Sequence, residues 1–290
     1  MTKLRRRFIE ELTLRGLSSN TIGLYVRAVA ELAHYYAKSP DLISHAEVRR
    51  FLLHLHQRNQ APSTVNLKVN GLRRFYTYVL EQDIDKLSAC FLRPPKRRRL
   101  PNPYSLEEIQ QLLGACRKPL HLAFLMTAYS GGLRLQEVCD LRAEHIESKR
   151  MLIRVNNGKG QKARYTILSP LLLTTLREYW RTCRPNGPYL FSFEKRPEKP
   201  LRAKTGQEIF YANIERAKLI NRGGVHSLRH SFATHMLESG VEITVVQKLL
   251  GHRSLNTTAI YLHVTQERLS AIKSPLNRLD VNCQFRVSSH

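Results

Sequence analysis

Residues 226–264, HSLRHSFATHMLESGVEITVVQKLLGHRSLNTTAIYLHV, are the stretch around which the rest of the chain is organised. Apolar residues recur at helical spacing up to Gly240 and again up to Gly251, and glycine commonly ends a helix. The stretch therefore predicts a helix, a turn, a second helix, a turn and a third helix that carries Tyr261. It is dense in groups that donate to a phosphate or exchange protons with it: His226, Arg229, His230, His235, His252, Tyr261 and His263.

The composition indicates a polyanionic partner. The 290 residues include 47 Lys and Arg against 23 Asp and Glu, a formal net charge of +24. An excess of this size is typical of nucleic-acid binding, although ribosomal and chromatin proteins are equally basic. No stretch approaches the ~20 apolar residues of a membrane span, and the start, MTKLRRRFIEEL, lacks the apolar run of a signal peptide. With five scattered cysteines and no CxxC, these features favour a cytoplasmic protein with reduced thiols.

Residues 1–90 are helical by period and predict a bundle of four short amphipathic helices. Ser44 and Glu47 form a capping box before the third helix, and the fourth begins near Ser63. Its outward positions include Lys68, Arg73 and Arg74, for which a solvated face and a DNA contact both stay open. The Pro-rich, basic residues 91–104 predict a linker that tracks phosphates through Arg97, Arg98 and Arg99.

A second domain is predicted over residues 105–275, followed by a patternless tail over 276–290. In GGLRLQEV, residues 131–138, Arg134 and Glu137 lie three apart, which suits either a surface pair or an arginine held in a cleft. Residues 151–155 and 163–168 predict a β-hairpin whose glycine-rich loop presents Lys159, with Lys162 and Arg164 as competing candidates for a phosphate.

HSLRH, LLGHRSLNTT and the tyrosine of AIYLHV resemble the C-terminal signature of the tyrosine recombinases, the family of phage integrases and Xer-type resolvases. GGLRLQEV resembles the first arginine box of that family, and the hairpin resembles its GKGxK loop. The resemblance implies a mainly α fold with a small β-hairpin or sheet in an α+β catalytic domain, behind an N-terminal helical, SAM-like core-binding bundle. Two departures, Leu262 for the usual Thr and TIL for Val-Pro-Leu, bear on packing rather than chemistry.

The same resemblance implies site-specific cutting and rejoining of duplex DNA through a 3′-phosphotyrosyl intermediate. Such an enzyme needs no ATP, cofactor or metal, and its partners are double-stranded DNA and further copies of itself, as a dimer or tetramer on DNA, with no membrane. Lys159 takes the role of general acid by this resemblance.

Metal-free cleavage of a phosphodiester needs a nucleophile, charge neutralisation and proton transfer. Two guanidiniums can fork onto the nonbridging oxygens, and an imidazole can accept the phenolic proton or donate to phosphate. The predicted catalytic residues are Arg134, Lys159, His226, Arg229, His252 and Tyr261, with Glu137 supporting. The predicted DNA contacts are Lys68, Arg73, Arg74, Arg97, Arg98, Arg99, Lys162 and Arg164.

Other functions fit parts of the pattern. A catalytically silent DNA-binding protein would share the fold, and a topoisomerase would share the chemistry without partner sites. A zinc hydrolase could use His226 and His230, but position 227 is Ser and the HExxH glutamate is missing. An NTPase is excluded because the chain has no GxxxxGK[ST]. If Tyr261 is not the nucleophile, Tyr211 is the alternative.

Overall fold

A computed structural model describes residues 2–83, 91, 101–156, 163–193 and 196–262. The chain divides into two compact units, residues 1–98 and 99–290. The predicted boundaries at 90, 104 and 275 stay predictions, since residues 84–90, 92–100 and 263–290 lie outside the described ranges. None of the helices in these ranges is long and apolar enough to cross a membrane.

The first unit is the predicted bundle of four helices, α1 (Lys3–Leu14), α2 (Ser19–Tyr36), α3 (His45–Gln57) and α4 (Pro62–Tyr78). Each helix turns its apolar stripe inward, and the stripes form one core that includes Phe8, Leu32, Phe51, Leu72 and Phe75. The predicted capping box before α3 is confirmed: Ser44 Oγ accepts from the amide of Glu47, and the Glu47 carboxylate accepts from the amide of Ser44.

Lys68 does not lie on a free outward face of α4, and this prediction was wrong. Its Nζ atom donates to Glu31 Oε1 at 2.6 Å and to Gln60 Oε1 at 3.0 Å, and the side chain is 12% exposed. Arg74 is half-buried, with its guanidinium 5.7 Å from the ring centre of Tyr25. Lys68 therefore ties α4 to α2, because a paired and mostly buried ammonium is not free for a phosphate.

The second unit is mainly helical before the decisive stretch. Its helices are α5 (Leu106–Gly114), α6 (Pro119–Ser130), α7 (Leu135–Cys139), α8 (Pro170–Cys183) and α9 (Ala203–Arg216). Helix α6 is buried on most sides, and its apolar residues between positions 123 and 128 belong to a core that also takes in Phe191 and Phe210. A capping box of Ser105 and Glu108 begins α5.

Two small antiparallel sheets complete this unit. The predicted hairpin is present as β2 (Leu152–Val155) and β3 (Arg164–Ile167), with Arg154 opposite Tyr165. A third strand that the sequence did not indicate, β1 (Ile146–Glu147), extends it in the order β1-β2-β3. A second antiparallel pair, which the sequence did not indicate, is formed by β4 (Ser192–Phe193) and β5 (Arg196–Pro200). The predicted fold class, mainly α with a small β-sheet, is confirmed.

The decisive stretch folds as α10 (His226–Glu238), α11 (Ile243–Leu250) and α12 (Leu255–Ala259). Both predicted glycine stops are confirmed, because Gly240 and Gly251 adopt left-handed backbone with φ of 101° and 65°. One detail was wrong: Tyr261 lies in a turn two residues beyond the end of α12, not on it. The turn places the phenol in a small core with Phe232, Leu237 and Leu250.

Candidate active site

Arg229 is the centre of the site and is fully buried, with 0% exposure. It lies in the first turn of α10, and its Nη1 and Nη2 atoms each donate to a backbone carbonyl, of Gly132 and of Leu250, at 2.7 Å. Nη2 also lies 2.9 Å from Nε2 of His252. The guanidinium thus joins the Gly-Gly turn before α7, the end of α11 and the following loop. Its Nε is buried and lacks a hydrogen-bond partner among the described residues.

A tight turn lets Gly132 approach Arg229. Gly132 has φ of 57°, and a Cβ built on it would lie 2.4 Å from the Phe232 ring. Only glycine fits this close approach without displacing the ring, and left-handed backbone is also least costly for glycine. The turn leads directly to Arg134 and to α7.

Glu137 holds Arg134 in two ways. Its Oε2 accepts from the Arg134 amide at 2.8 Å, which caps α7, and its Oε1 accepts from Arg134 Nη1 at 2.8 Å. The Arg134 side chain is 40% exposed, whereas that of Glu137 is 9% exposed. The predicted pair is therefore a cleft arrangement, with an exposed guanidinium oriented by a buried carboxylate.

Arg164 binds the same carboxylate through both of its terminal nitrogens. Its Nη1 and Nη2 donate to the two oxygens of Glu137 at 2.8 and 2.7 Å, and its Nε donates to the Leu249 carbonyl at 2.9 Å. Its side chain is only 8% exposed. The structure thus places Arg164 inside the site, not on the surface expected of a DNA contact, because a buried fork already bound to a carboxylate cannot also track a phosphate.

The guanidiniums fix the charge of Glu137. Burial by itself would raise the pKa of this carboxyl, but the hydrogen bonds and charge of Arg164, with those of Arg134, lower it to about 2. Arg229 adds a further cation 3.9 Å from Oε2. Burial and the charge of Arg134 lower the pKa of Arg229 to about 10, so this guanidinium stays protonated at neutral pH. Three cations around one carboxylate leave an excess of positive charge, which suits an anion.

Both ring nitrogens of His252 are engaged, Nε2 by Arg229 and Nδ1 by Thr258. Because a guanidinium can only donate, Nε2 must accept from Arg229, and Nδ1 carries the ring proton toward Thr258 Oγ1 at 2.9 Å. Burial, followed by the charge of Arg229, lowers the pKa of His252 to about 4. We predicted His252 as a catalytic residue, and in this arrangement its ring proton points away from Arg229.

Tyr261 is 1% exposed, and its hydroxyl lies 2.9 Å from Nδ1 of His230. Burial raises the pKa of Tyr261, and the positive charges of Arg229 and Arg134 act in the opposite sense. His226 stands on the surface one turn earlier on α10, and its ring centre lies 4.6 Å from that of His230. The packing of protein atoms around its ring and then the charges of Arg229 and Arg134 lower the pKa of His226.

The structure brings five of the six predicted catalytic residues to one region: Arg134, His226, Arg229, His252 and Tyr261. The sixth, Lys159, lies outside the described residues, as do four of the predicted DNA contacts, Lys162, Arg97, Arg98 and Arg99. Arg73 and Arg74 lie half-buried on α4 in the first unit. The alternative nucleophile, Tyr211, is 44% exposed on α9.

Sequence reasoning missed the contact of His230 with Tyr261. His230 was named among the proton-exchanging groups of the stretch and as a partner of His226 for zinc, but not as a partner of Tyr261. Its position four residues after His226 was the available signal, because residues four apart lie on the same face of a helix. No group of three or more metal-ligating side chains is gathered within the part of the chain that the structure describes.

Comparison with known families assigns both units. The model of the phage integrase family matches residues 104–268, and that of the phage integrase N-terminal SAM-like domain matches residues 4–86. The chain is similar to a putative integrase/recombinase, y4qK, of Sinorhizobium fredii, with 39% identity over 280 residues, covering 96% of this chain and 90% of that protein. It is 33% identical over 288 residues to the tyrosine recombinase XerA of Pyrococcus furiosus, covering 96% of each.

Solved structures share the fold. A lambda integrase dimer bound to a COC′ core site, residues 75–356 of that protein, superposes with a TM-score of 0.73 at 17% identity, over 90% of this chain and 94% of that one. The XerH recombinase bound to its palindromic difH substrate gives a TM-score of 0.71 at 22% identity, over 89% of this chain and 80% of that one.

Proposed function

The chain belongs to the phage integrase family, and we propose from this premise that it is a site-specific tyrosine recombinase. It cuts and rejoins duplex DNA through a covalent 3′-phosphotyrosyl intermediate, without ATP and without a metal ion. The observation that carries the proposal is the cluster itself: three guanidiniums share one carboxylate beside a tyrosine whose hydroxyl contacts an imidazole.

The excess positive charge serves the phosphate. In the transition state the nonbridging oxygens gain negative charge, and fixed guanidiniums stabilise that charge without reorganising. Arg134 is the exposed cation of the cluster and takes the direct contact. Arg229 is fully buried and contributes its positive charge from behind the surface rather than through a direct contact.

Tyr261 supplies the nucleophilic oxygen. Attack by this oxygen on phosphorus forms a P–O bond to the tyrosine and breaks the bond to the 5′-oxygen of the next nucleotide. Lys159 protonates that leaving oxygen, as the family resemblance implies. Because the bond energy is kept in the phosphotyrosine, a free 5′-hydroxyl can reverse the reaction and rejoin the strand.

Glu137 and Arg164 act through Arg134 rather than on DNA. The carboxylate fixes the Arg134 amide and guanidinium together, and Arg164 fixes the carboxylate to the end of α11. His252 holds Arg229 in the same way from the loop after Gly251. These positioning residues keep the two catalytic arginines in place before DNA arrives.

The proposal extends to the DNA contacts of the first unit and linker, the assembly on DNA and the location in the cell. The N-terminal bundle, with Arg73 and Arg74, lies along the duplex, and the linker residues 97–99 contribute phosphate contacts. Solved relatives include a lambda integrase dimer on its core site and XerH on difH, which supports assembly of this chain as a dimer or tetramer on DNA. Action on DNA supports a cytoplasmic location for the protein.

Covalent trapping tests the proposal. Nicked duplexes with a randomised core, which lose the 5′-terminal fragment after cleavage, are incubated with the protein in the presence of a chelator. The expected product is a denaturant-resistant protein–DNA adduct whose sequenced DNA defines a common cleavage site. Tyr261→Phe binds duplex like the unaltered protein and forms no adduct.

Covalent trapping, together with relaxation of supercoiled plasmids, separates the alternatives. Binding to duplex without any adduct would make the chain a silent DNA-binding protein and overturn the proposal. Relaxation of supercoiled plasmids irrespective of the recovered site would identify a topoisomerase. An adduct that persists in Tyr261→Phe and disappears in Tyr211→Phe would move the nucleophile to α9.

A further inference from the structure

The hydroxyl of Tyr261 has an imidazole partner, His230, that is not among the predicted catalytic residues. Among the described residues, His230 Nδ1 is the side-chain atom that hydrogen bonds to the hydroxyl, at 2.9 Å, and the two ring centres lie 5.6 Å apart. This contact joins the first turns of α10 to the turn after α12, 31 residues further along the chain. The reacting oxygen of Tyr261 is therefore already in contact with a titratable group.

The ring of His230 is held in a fixed place. It follows Arg229, whose side chain is anchored to two backbone carbonyls, and it packs edge-on against His226 with an interplanar angle of 78°. His230 itself is half-buried. A group fixed in this way is already held at the distance from the hydroxyl that proton transfer requires.

The surroundings keep His230 neutral. Burial, and then the charges of His226 and Arg229, lower the pKa of His230 to about 4. The titratable groups that face it are His226 and Arg229 on its own helix and Tyr261 from the turn after α12. A neutral imidazole that carries its proton on Nε2 presents a lone pair on Nδ1 to the hydroxyl.

The other two imidazoles of the site are placed for different tasks. Both ring nitrogens of His252 are engaged, one by Arg229 and the other by Thr258. His226 is on the surface, where the sequence allowed it either to accept the phenolic proton or to donate to phosphate. Because His230 already contacts the hydroxyl, the role that remains for His226 is to donate a hydrogen bond to the phosphate.

We propose that His230 is the general base that removes the hydroxyl proton of Tyr261 during DNA cleavage. The O–H bond of Tyr261 breaks and the proton moves to Nδ1 of His230. The electron pair left on oxygen forms the bond to phosphorus, the bond from phosphorus to the 5′-oxygen breaks, and that oxygen takes a proton from the general acid. On rejoining, His230 returns its proton to Tyr261. This inference rests on the proposed recombinase function.

The test variant is His230→Asn. An asparagine side chain keeps a hydrogen-bonding atom near the position of Nδ1 but cannot accept a proton at neutral pH. Loss of a general base typically slows a reaction about 10²–10⁴-fold. We expect single-turnover cleavage of the trapped duplex to slow by at least about a hundredfold, with duplex binding unchanged.

The pH profile gives a readout that a merely structural role would not move. With His230 present the base is unprotonated over the neutral range, so its titration gives no rise in cleavage rate from pH 6 to 8. Without it, hydroxide must remove the proton, and the rate rises about tenfold per pH unit. Added imidazole restores part of the activity of His230→Ala.

His235→Asn is the matched control. His235 lies on the same helix, and its Nδ1 contacts a different tyrosine hydroxyl, that of Tyr129, at 2.8 Å. It should keep the cleavage rate and pH profile of the unaltered protein. Folding of each variant is checked by the fluorescence of Trp180, the one tryptophan of the chain.

The outcomes are separable. If the unaltered protein forms no adduct, the proposed function fails. If it forms the adduct and His230→Asn cleaves within a few-fold at every pH, the function stands and the assignment of His230 is wrong. Faster cleavage by His230→Asn would also overturn the assignment, because His230 would then restrain Tyr261 rather than activate it.

Discussion

Replacing Glu137 by Gln removes the one negative charge that three guanidiniums share, and we expect it to destabilise the second unit strongly. The amide keeps the size of the side chain and can still accept one hydrogen bond, so the change isolates the charge. Arg164, with a side chain 8% exposed, would keep its cation without a carboxylate. Breaking a buried ion pair by removing one partner typically costs 3–5 kcal/mol.

The pKa of Glu137 gives an independent magnitude. A fall from the ordinary carboxyl value of 4.5 to about 2 corresponds, at ~1.36 kcal/mol per pKa unit, to about 3 kcal/mol of folding free energy. Because the pKa is lower in the folded state, this stability is fully present above pH 4.5 and is lost as the pH falls toward 2. The side chain is only 9% exposed, so solvent screening reduces it little.

Trp180 makes the measurement specific to the second unit. It is the only tryptophan and lies on α8 at 38% exposure. Urea unfolding followed by its fluorescence should give Glu137→Gln a free energy of unfolding about 3 kcal/mol lower at pH 7. The difference should shrink as the pH falls below 4.5, since protonation then neutralises the carboxyl of the unaltered protein too.

Glu215→Gln is the control, because Glu215 is exposed on α9 of the same unit. A surface change of this kind should stay within about 0.5 kcal/mol. If the free energy of unfolding of Glu137→Gln at pH 7 also lies within about 0.5 kcal/mol of that of the unaltered protein, the carboxylate does not hold the guanidiniums by its charge, and the reasoning is refuted.

Two further substitutions test the backbone at Gly251 and the predicted general acid Lys159. Gly251→Ala should destabilise the second unit by about 1–2 kcal/mol or more and slow cleavage, because φ is 65° and a Cβ would lie 2.6 Å from Cδ of Arg164. The control is Gly114→Ala, which has open space around the added Cβ and should not have these effects. Equal urea midpoints for the two variants would contradict this expectation. Lys159→Ala should be nearly inactive on ordinary DNA and substantially rescued when sulfur replaces the bridging 5′-oxygen, because that leaving group needs no proton. Rescue of Lys162→Ala instead would transfer the role of general acid along the loop.

Local patterns in the sequence predicted most of the fold. Periodicity, the capping box of Ser44 and Glu47, and the glycines at 240 and 251 depend on residues a few positions apart, and each was found in the structure. The strands β1, β4 and β5 were missed because two-residue strands and a strand with two prolines carry almost no alternating pattern.

The long-range pairs could not be predicted. Lys68 looked outward by helical position, but Glu31, 37 residues away, brings it against α2. Arg164 looked like a hairpin cation, but Glu137 and Leu249 reach it from 27 and 85 residues away. Hydrogen-bond partners at such separations are set by tertiary packing, which no local spacing records.

The different burial of Arg134 and Arg229, the two arginines predicted to be catalytic, could not be predicted from the sequence either. From the sequence they are equivalent, whereas the structure leaves 40% of the Arg134 side chain exposed and none of Arg229. Arg134→Ala is therefore a clean test of charge stabilisation. Arg229→Ala also removes the donors that two buried backbone carbonyls need, so its lower activity would combine misfolding with lost catalysis.

This burial of Arg229 makes two kinds of inactive allele behave differently in a cell. A missense change at Arg229 yields molecules that unfold often and are removed by proteases, so the defect is one of abundance. Tyr261→Phe loses a single hydroxyl, and under the proposed function we expect its product to accumulate, to occupy recombination sites and to enter assemblies with active copies. In a cell that carries both forms, the first allele is recessive, and the second interferes with its unaltered counterpart.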